Sequence, residues 1–431
     1  MMPDQAAGAT AEPAHPRSGR PLRWRNLFAG RLLLDASVAH REAKLLLLGR
    51  GIRAFVDGFV AVLLPAYLLA LGLGTVEVGL LSTATLLGSA LMTLLVSRWG
   101  HRLHGAHLLR MAAILMALTG LSFTVFSDFW PLVVVAFVGT LNPSSGDVSV
   151  FLPLEHARLA HAAEGHERTR LFARYSLTGA VCAAFGALAA AAPEQLANVG
   201  VAALPAMRIM FGIYAFAGFV IWLLYRKLPG PDQAPNPPSV GLGKSRPVVV
   251  RLAMLFSVDA FAGGLLVQSL LALWLFKRFD LSLTAAGSFF FWAGLMAALS
   301  QLAAPWIARR IGLLNTMVFT HIPSSLALIA AALAPDLELA LGFLLLRALL
   351  SQMDVPTRSA YVMSVVSAPE RTAAAGYTLV PRSLAAAVSP TLSGAMLAAG
   401  HLAAPLLLCG VLKIAYDLTL LAVFQRVKLD E

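Results

Sequence analysis

Apolar residues in this chain come in long runs, and that one feature leaves few folds open. The runs cover residues 45–72, 76–97, 106–127, 129–153, 170–192 and 204–225, then 248–274, 283–307, 313–335, 337–366, 371–399 and 401–425. A run of about eighteen or more residues with few charges matches the thickness of a bilayer's hydrocarbon. Backbone groups in hydrocarbon must be bonded within their own segment, so each run is expected to be a helix. Composition agrees, with 58% hydrophobic and 13% charged residues against about 25% charged in a typical soluble domain. The sequence predicts an all-α membrane protein with twelve transmembrane helices.

The net charge of +11 raises the question of nucleic acid. Its distribution argues against that. Arg17, Arg20, Arg23, Arg25, Arg31, Arg41 and Lys44 precede the first run, and Arg98, Arg102, Arg158, Arg168, Arg226 and Lys227 lie by even-numbered connections. The odd-numbered connections are poor in base and carry Glu77, Asp128, Glu194, Asp336 and Glu338, with Lys277 and Arg278 as exceptions. By the positive-inside rule both termini are expected in the cytoplasm, in a membrane of the bacterial inner (plasma) type. Nucleic acid is therefore not an expected partner, and membrane lipid is. Cys182 and Cys409 fall inside predicted spans, so no disulfide framework is implied.

Residues 1–44 read as a cytoplasmic basic tail without a cleavable signal pattern, and 426–431 as a cytoplasmic C-terminus. The Pro/Gly-rich stretch 227–247 reads as a cytoplasmic linker. It divides an N-terminal half, 45–226, from a C-terminal half, 248–425, with six spans in each. Gly243-Lys244-Ser245 within it resembles the end of a phosphate-binding loop, but Pro238 occupies the position of the required first glycine. No nucleotide or other cofactor is expected.

The halves repeat each other. Val56-Asp57-Gly58-Phe59 in the first span answers Val258-Asp259-Ala260-Phe261 in the seventh. GDVS at 146–149 in the fourth answers MDVP at 353–356 in the tenth, and Ser97-Arg98-Trp99-Gly100 answers Arg309-Arg310-Ile311-Gly312. Matching aspartates inside membrane helices carry weight because such residues are costly and rare.

On these residues the chain resembles the major facilitator superfamily, over essentially all of 45–425. The family's signature between the second and third helices is matched at Arg98, Gly100 and Arg102; Ser97 stands where the family has an acid and Thr93 where it has its first glycine. The weaker copy is Arg309, Arg310 and Gly312. The resemblance implies two pseudo-symmetric six-helix halves, a cytoplasmic gate at these residues, and a central cavity lined by the first, fourth, seventh and tenth helices.

Asp57, Asp147, Asp259 and Asp354 fall one on each of those four helices. Asp57 and Asp259 lie about 15–20 Å along their helices, near mid-membrane. A charge at that depth must be paired, protonated or hydrated, which makes the aspartates candidates for a proton or substrate site. Arg358 is four residues after Asp354, and Arg53 four before Asp57, so each pair shares a helix face. Such pairs are read either as locks that open on protonation or as self-satisfied structural pairs. Pro356, and Asn142-Pro143 ahead of Asp147, predict interrupted helices at matching places in the two halves. Arg382, deep in the eleventh span, is an anion contact or a counter-ion to Asp354. Lys413 and Asp417 in the last span read as structural, and His321 as a hydrogen-bonded core residue or a proton relay. His101, His104, His107, His156, His161 and His166 read as solvated loop residues, and no metal site is expected.

The expected function is secondary active transport by alternating access, coupled to protons, with export of a small organic solute or drug by a monomer. Proton-coupled uptake, or uncoupled facilitated transport of a small ion or metabolite, is the alternative within the class. A non-transporting membrane receptor or scaffold is the alternative outside it. No enzymatic motif appears: an intramembrane aspartyl protease would need glycine at Ser145.

Overall fold

The computed structural model describes residues 41–99, 105–144, 149–162, 165–228, 242–243, 245–367 and 370–425, the side chains at 97–99, 161–162, 165–169 and 372 excepted. The described chain is helical, with no strand among the described residues. The first half comprises α1 (Arg41–Ala70), α2 (Thr75–Trp99), α3 (Gly105–Val125), α4 (Phe129–Val138), α5 (Phe151–Ala162), α6 (Gly165–Ala189), α7 (Ala192–Asn198) and α8 (Ala203–Tyr225). The second comprises α9 (Arg246–Gly264), α10 (Gln268–Phe279), α11 (Leu283–Ile311), α12 (Leu313–Leu333), α13 (Leu337–Ser351), α14 (Asp354–Ser364), α15 (Arg371–Ala398) and α16 (Ala404–Phe424).

All twelve predicted spans are helical, but the fourth, seventh and tenth are each split in two. In the fourth, between α4 and α5, the Asn142 side chain accepts hydrogen bonds from Ser144 N (3.1 Å) and Ser144 Oγ (2.7 Å). Such local bonding draws the backbone out of a helix. In the tenth, Pro356 sits in the first turn of α14, where a missing N–H leaves no bond unmade. The break in the seventh interrupts what the sequence predicts as a continuous run over 248–274. It follows Gly263-Gly264, and a Cβ on Gly264 would lie 2.2 Å from the Ala386 carbonyl oxygen of α15. Close helix contact, invisible in the hydropathy, puts a poor helix former there. The short helix α7 is a further addition.

Ten segments among the described residues are long and apolar enough to cross a membrane. The fourth span falls short because α4 has only 10 residues before its break. The eleventh, α15, is 28 residues long, about 42 Å, but carries polar side chains along its length. Exposed apolar residues such as Met111, Phe216 and Phe319 cover the outer helices, as a lipid-facing surface requires.

The halves meet symmetrically. The second span of the first half, α2, packs on the fifth of the second half, α15; the fifth of the first half, α6, packs on the second of the second half, α11. Small residues permit the approach. A Cβ on Gly79 would lie 2.6 Å from the Pro390 carbonyl oxygen, and one on Gly394 would lie 2.5 Å from that of Thr75. Alternating crossings leave the start of α1 and the end of α16 on one face of the bundle, here called the terminal face. The connections at 71–74, 190–191 and 280–282 lie on the far face.

Hydrogen bonds between the halves gather toward the far face. Glu194, on α7, accepts from Leu283 N (2.6 Å), Thr284 N (2.9 Å) and the Thr284 hydroxyl, so one half caps a helix of the other. Thr391 Oγ1 bonds Thr83 Oγ1 (2.8 Å), Thr75 Oγ1 bonds the Gly394 carbonyl (3.2 Å), and Ser269 N bonds the Pro143 carbonyl (3.0 Å). On the terminal face the bonds do not cross between halves: Arg158 pairs with Glu42 in the first, and Glu370 of the second accepts from Gly243 N (2.8 Å) and Ser245 N (3.2 Å), which lead into it from the linker. Among the described residues, no hydrogen bond or ion pair joins the halves there.

Candidate functional site

Each half encloses one cluster of buried ionisable side chains. In the first, Arg53 of α1 forms a two-pronged pair with Glu155 of α5: Nη1 to Oε1 at 2.6 Å and Nη2 to Oε2 at 2.8 Å. Tyr175 of α6 donates to Oε2 and Tyr225 of α8 to Oε1, so both carboxylate oxygens are doubly satisfied. The Phe151 ring lies 4.4 Å from the Arg53 guanidinium, adding a cation–π contact. Arg53 is 2% exposed and Glu155 not at all. A buried fork of this kind offsets its desolvation only because every lone pair finds a donor.

That pairing changes the reading of Asp57. The sequence predicts Arg53 as its partner, one turn away; Arg53 is taken by Glu155 instead. Asp57 is buried at 4% exposure, and its Oδ1 makes no hydrogen bond.

The second cluster spans four helices. Asp259 of α9 lies between Lys413 of α16, whose Nζ is 2.6 Å from Oδ1, and Arg358 of α14, whose Nη2 is 3.1 Å from Oδ2. The same Nη2 also contacts Asp354, so the predicted Asp354–Arg358 pair is made and Asp259 joins it. His321 of α12 lies beside them, with Nε2 3.4 Å from Lys413 Nζ and 3.9 Å from Asp259 Oδ1. Its Nδ1 is 2.9 Å from Asp417 Oδ2. Carboxylate, ammonium, imidazole and carboxylate thus form a contiguous chain of ionisable groups between the helices.

Arg382 enters the second cluster from α15. Ala386, one turn beyond it, packs on Gly264 of the parallel helix α9. Arg382 therefore stands level with Asp259, five residues before Gly264, and its charge interacts with Arg358, Asp259 and Tyr416.

The gate residues are less informative. Asp147, Gly100 and Arg102 lie outside the described residues, as does the side chain of Arg98. Arg309 and Arg310 are exposed at the C-terminal end of α11, where basic side chains complement the helix dipole. Gly312 links α11 to α12 at φ +86°, a conformation that favours glycine. His101, His104, and the side chains of His161 and His166 are also outside the described residues.

Sequence reasoning missed Glu155, Tyr175 and Tyr225, and did not foresee that Lys413 reaches Asp259 and Asp417 faces His321. Glu155 falls two residues beyond the predicted end of the fourth span, and so looked like a loop residue. Lys413 and Asp417 are four apart and looked self-sufficient. The available signal was that two separate apolar helices carry Asp259 and His321 with no charged neighbour at helical spacing in sequence, so each needed a distant partner.

A twelve-span helical bundle in two matched halves, with buried charge between its helices, defines an integral membrane transporter. Residues 46–352 match the family model of the Major Facilitator Superfamily, and the chain belongs to that family. It is similar, at 26% identity over 93% of this chain and 98% of the other, to the uncharacterized membrane protein YJR124C of Saccharomyces cerevisiae. Its fold is similar to that of the nucleoside transporter NupG, with a TM-score of 0.69 at 14% identity, covering 90% of this chain and 99% of that one. A bacterial homolog of the human lysosomal transporter Spinster, inward-facing and occupied, gives a TM-score of 0.67 at 17% identity, over 88% of this chain and 94% of that one.

Proposed function

We propose that this transporter exports a small organic solute in exchange for protons, by alternating access. The observation that carries the reading is the buried chain Asp259–Lys413–His321–Asp417 with Arg358 and Asp354 alongside. Protonating Asp259 would release Lys413 and leave Arg358 to Asp354 alone, and Asp259, Lys413 and Arg358 sit on three helices whose packing would then change. Asp57, buried with an unbonded carboxylate oxygen, is the matching acid of the first half. Proton carriers in membrane helices take this form: ionisable groups facing the bundle interior, paired with one another.

The working unit in this reading is a monomer, with halves at 45–226 and 248–425 joined by the cytoplasmic linker 227–247. Charge bias assigns the terminal face to the cytoplasm of a bacterial-type plasma membrane. The clasp of Glu194, Thr83 and Thr391 then closes the outer side, and the conformation is inward-facing.

The test uses everted membrane vesicles with an imposed pH gradient followed by a fluorescent dye, and a panel of organic cations, organic anions and neutral solutes. Solute-dependent collapse of the gradient in wild type, lost in Asp259→Asn while the protein remains folded and inserted, is the expected result. Solute flux that ignores the gradient, or that Asp259→Asn leaves coupled, overturns the proton assignment.

A further inference from the structure

We infer that the transported solute is an organic anion, whose carboxylate or phosphate oxygens dock between Arg358 and Arg382. The inference rests on the transport reading above and names its substrate class.

The argument starts from how Arg358 is used. Both of its carboxylate partners, Asp259 and Asp354, contact the same nitrogen, Nη2. Its Nε and Nη1 are buried and make no hydrogen bond. A guanidinium carries five N–H groups and no acceptor, so this end of it is desolvated without return. The Tyr416 hydroxyl, on the neighbouring α16, is also buried and unbonded. Its ring lies against Phe256, the ring that Arg358 stacks over at 5.3 Å. Arg382 adds a second guanidinium at the level of Asp259, and among the described residues it makes no hydrogen bond or ion pair.

The nearby acids already have partners: Asp259 holds Lys413 and Arg358 Nη2, Asp354 shares that same Nη2, and Asp417 faces His321. What remains is Nε and Nη1 of Arg358, the Arg382 guanidinium and the Tyr416 hydroxyl, donors with no acceptor bonded to them among the described residues. An oxyanion would accept from these guanidinium nitrogens in the fork geometry that suits carboxylate and phosphate. The Phe256 and Tyr416 rings beside it would suit an apolar body. Each acid here already faces a basic group, so a cationic solute would have to displace one.

The experiment is equilibrium binding to purified protein in detergent, read as thermal stabilisation at constant ionic strength, without any pH gradient. The probes are benzoate and phenyl phosphate, with benzylammonium as the cation of the same shape. Either anion should stabilise wild type and benzylammonium should not. Arg382→Ala should weaken anion binding by about tenfold or more, the size of one charge-assisted hydrogen bond. Arg382→Lys should retain part of the affinity, and Tyr416→Phe should lose a few-fold, about one neutral hydrogen bond. Stabilisation by benzylammonium alone, absence of a shift with both anions, or anion binding unchanged in Arg382→Ala overturns the inference. Binding here needs no coupling, so failure of the proton reading leaves this result standing. Gradient collapse by a cation would sink the anion assignment alone.

Discussion

Lys413 and Asp259 meet across α16 and α9 with 2.6 Å between ammonium and carboxylate, although 154 residues separate them in sequence. The contact gives the last helix of the bundle a direct hold on the first helix of the second half. Asp259 is 4% exposed at its side chain and Lys413 12%, so neither charge is well served by water. Removing one member of a buried pair costs about 3–5 kcal/mol and removing both is far cheaper; with Arg358 still 3.1 Å from Asp259, the loss here falls at or below the lower end of that range. Lys413→Met should therefore lower the melting temperature clearly, and Lys413→Met with Asp259→Asn should recover most of the loss. A double-mutant cycle on unfolding in detergent measures this, and additive losses would contradict a direct pair.

The Arg53–Glu155 fork makes the complementary prediction for the first half. Glu155 accepts from Arg53, Tyr175 and Tyr225, drawn from three other helices, so it ties α1, α6 and α8 to α5. Glu155→Gln keeps the shape but removes the charge that balances Arg53. It should destabilise by about 3–5 kcal/mol, more than either Tyr175→Phe or Tyr225→Phe, each expected at about 1–3 kcal/mol. Thermal unfolding of the purified variants gives the ranking. Equal losses for glutamate and tyrosine variants would mean the fork is not the centre of the cluster.

What could be read in advance from the chain follows the range of the interactions involved. Helices in hydrocarbon are declared by local hydropathy, so the twelve runs and the proline-linked breaks were legible. The break after Gly264 was not, because both of its flanks are apolar and its cause is Ala386 on another helix. Buried acids were legible because their cost is local. Their partners were not: four-residue spacing pointed Arg53 at Asp57 and Lys413 at Asp417, and each base instead reaches an acid more than 100 residues away. A helix face offers both partners, and only tertiary packing chooses.

The far-face clasp yields a prediction about motion rather than stability. Thr83 and Thr391 touch at 2.8 Å, on helices brought close by Gly79 and Gly394. If the halves rock, this contact must break in each cycle, and a covalent bond there must stop transport. Thr83→Cys with Thr391→Cys should form a disulfide under mild oxidation, arrest solute flux, and recover on reduction. The native thiols interfere little, since Cys409 is buried and Cys182 partly so; a serine background at both makes the assay clean. Glu194 supplies the second arm of the argument. Its carboxylate caps the start of α11 with three hydrogen bonds, and loss of a cap costs about 1 kcal/mol. Because those bonds exist only while the far face is closed, Glu194→Ala should shift the balance of conformations by that amount, about five-fold toward the open side. The engineered disulfide should then form more slowly, at unchanged thiol reactivity in the unfolded chain. Flux that continues with Thr83 and Thr391 cross-linked would rule out separation of the halves at this face as a step in transport.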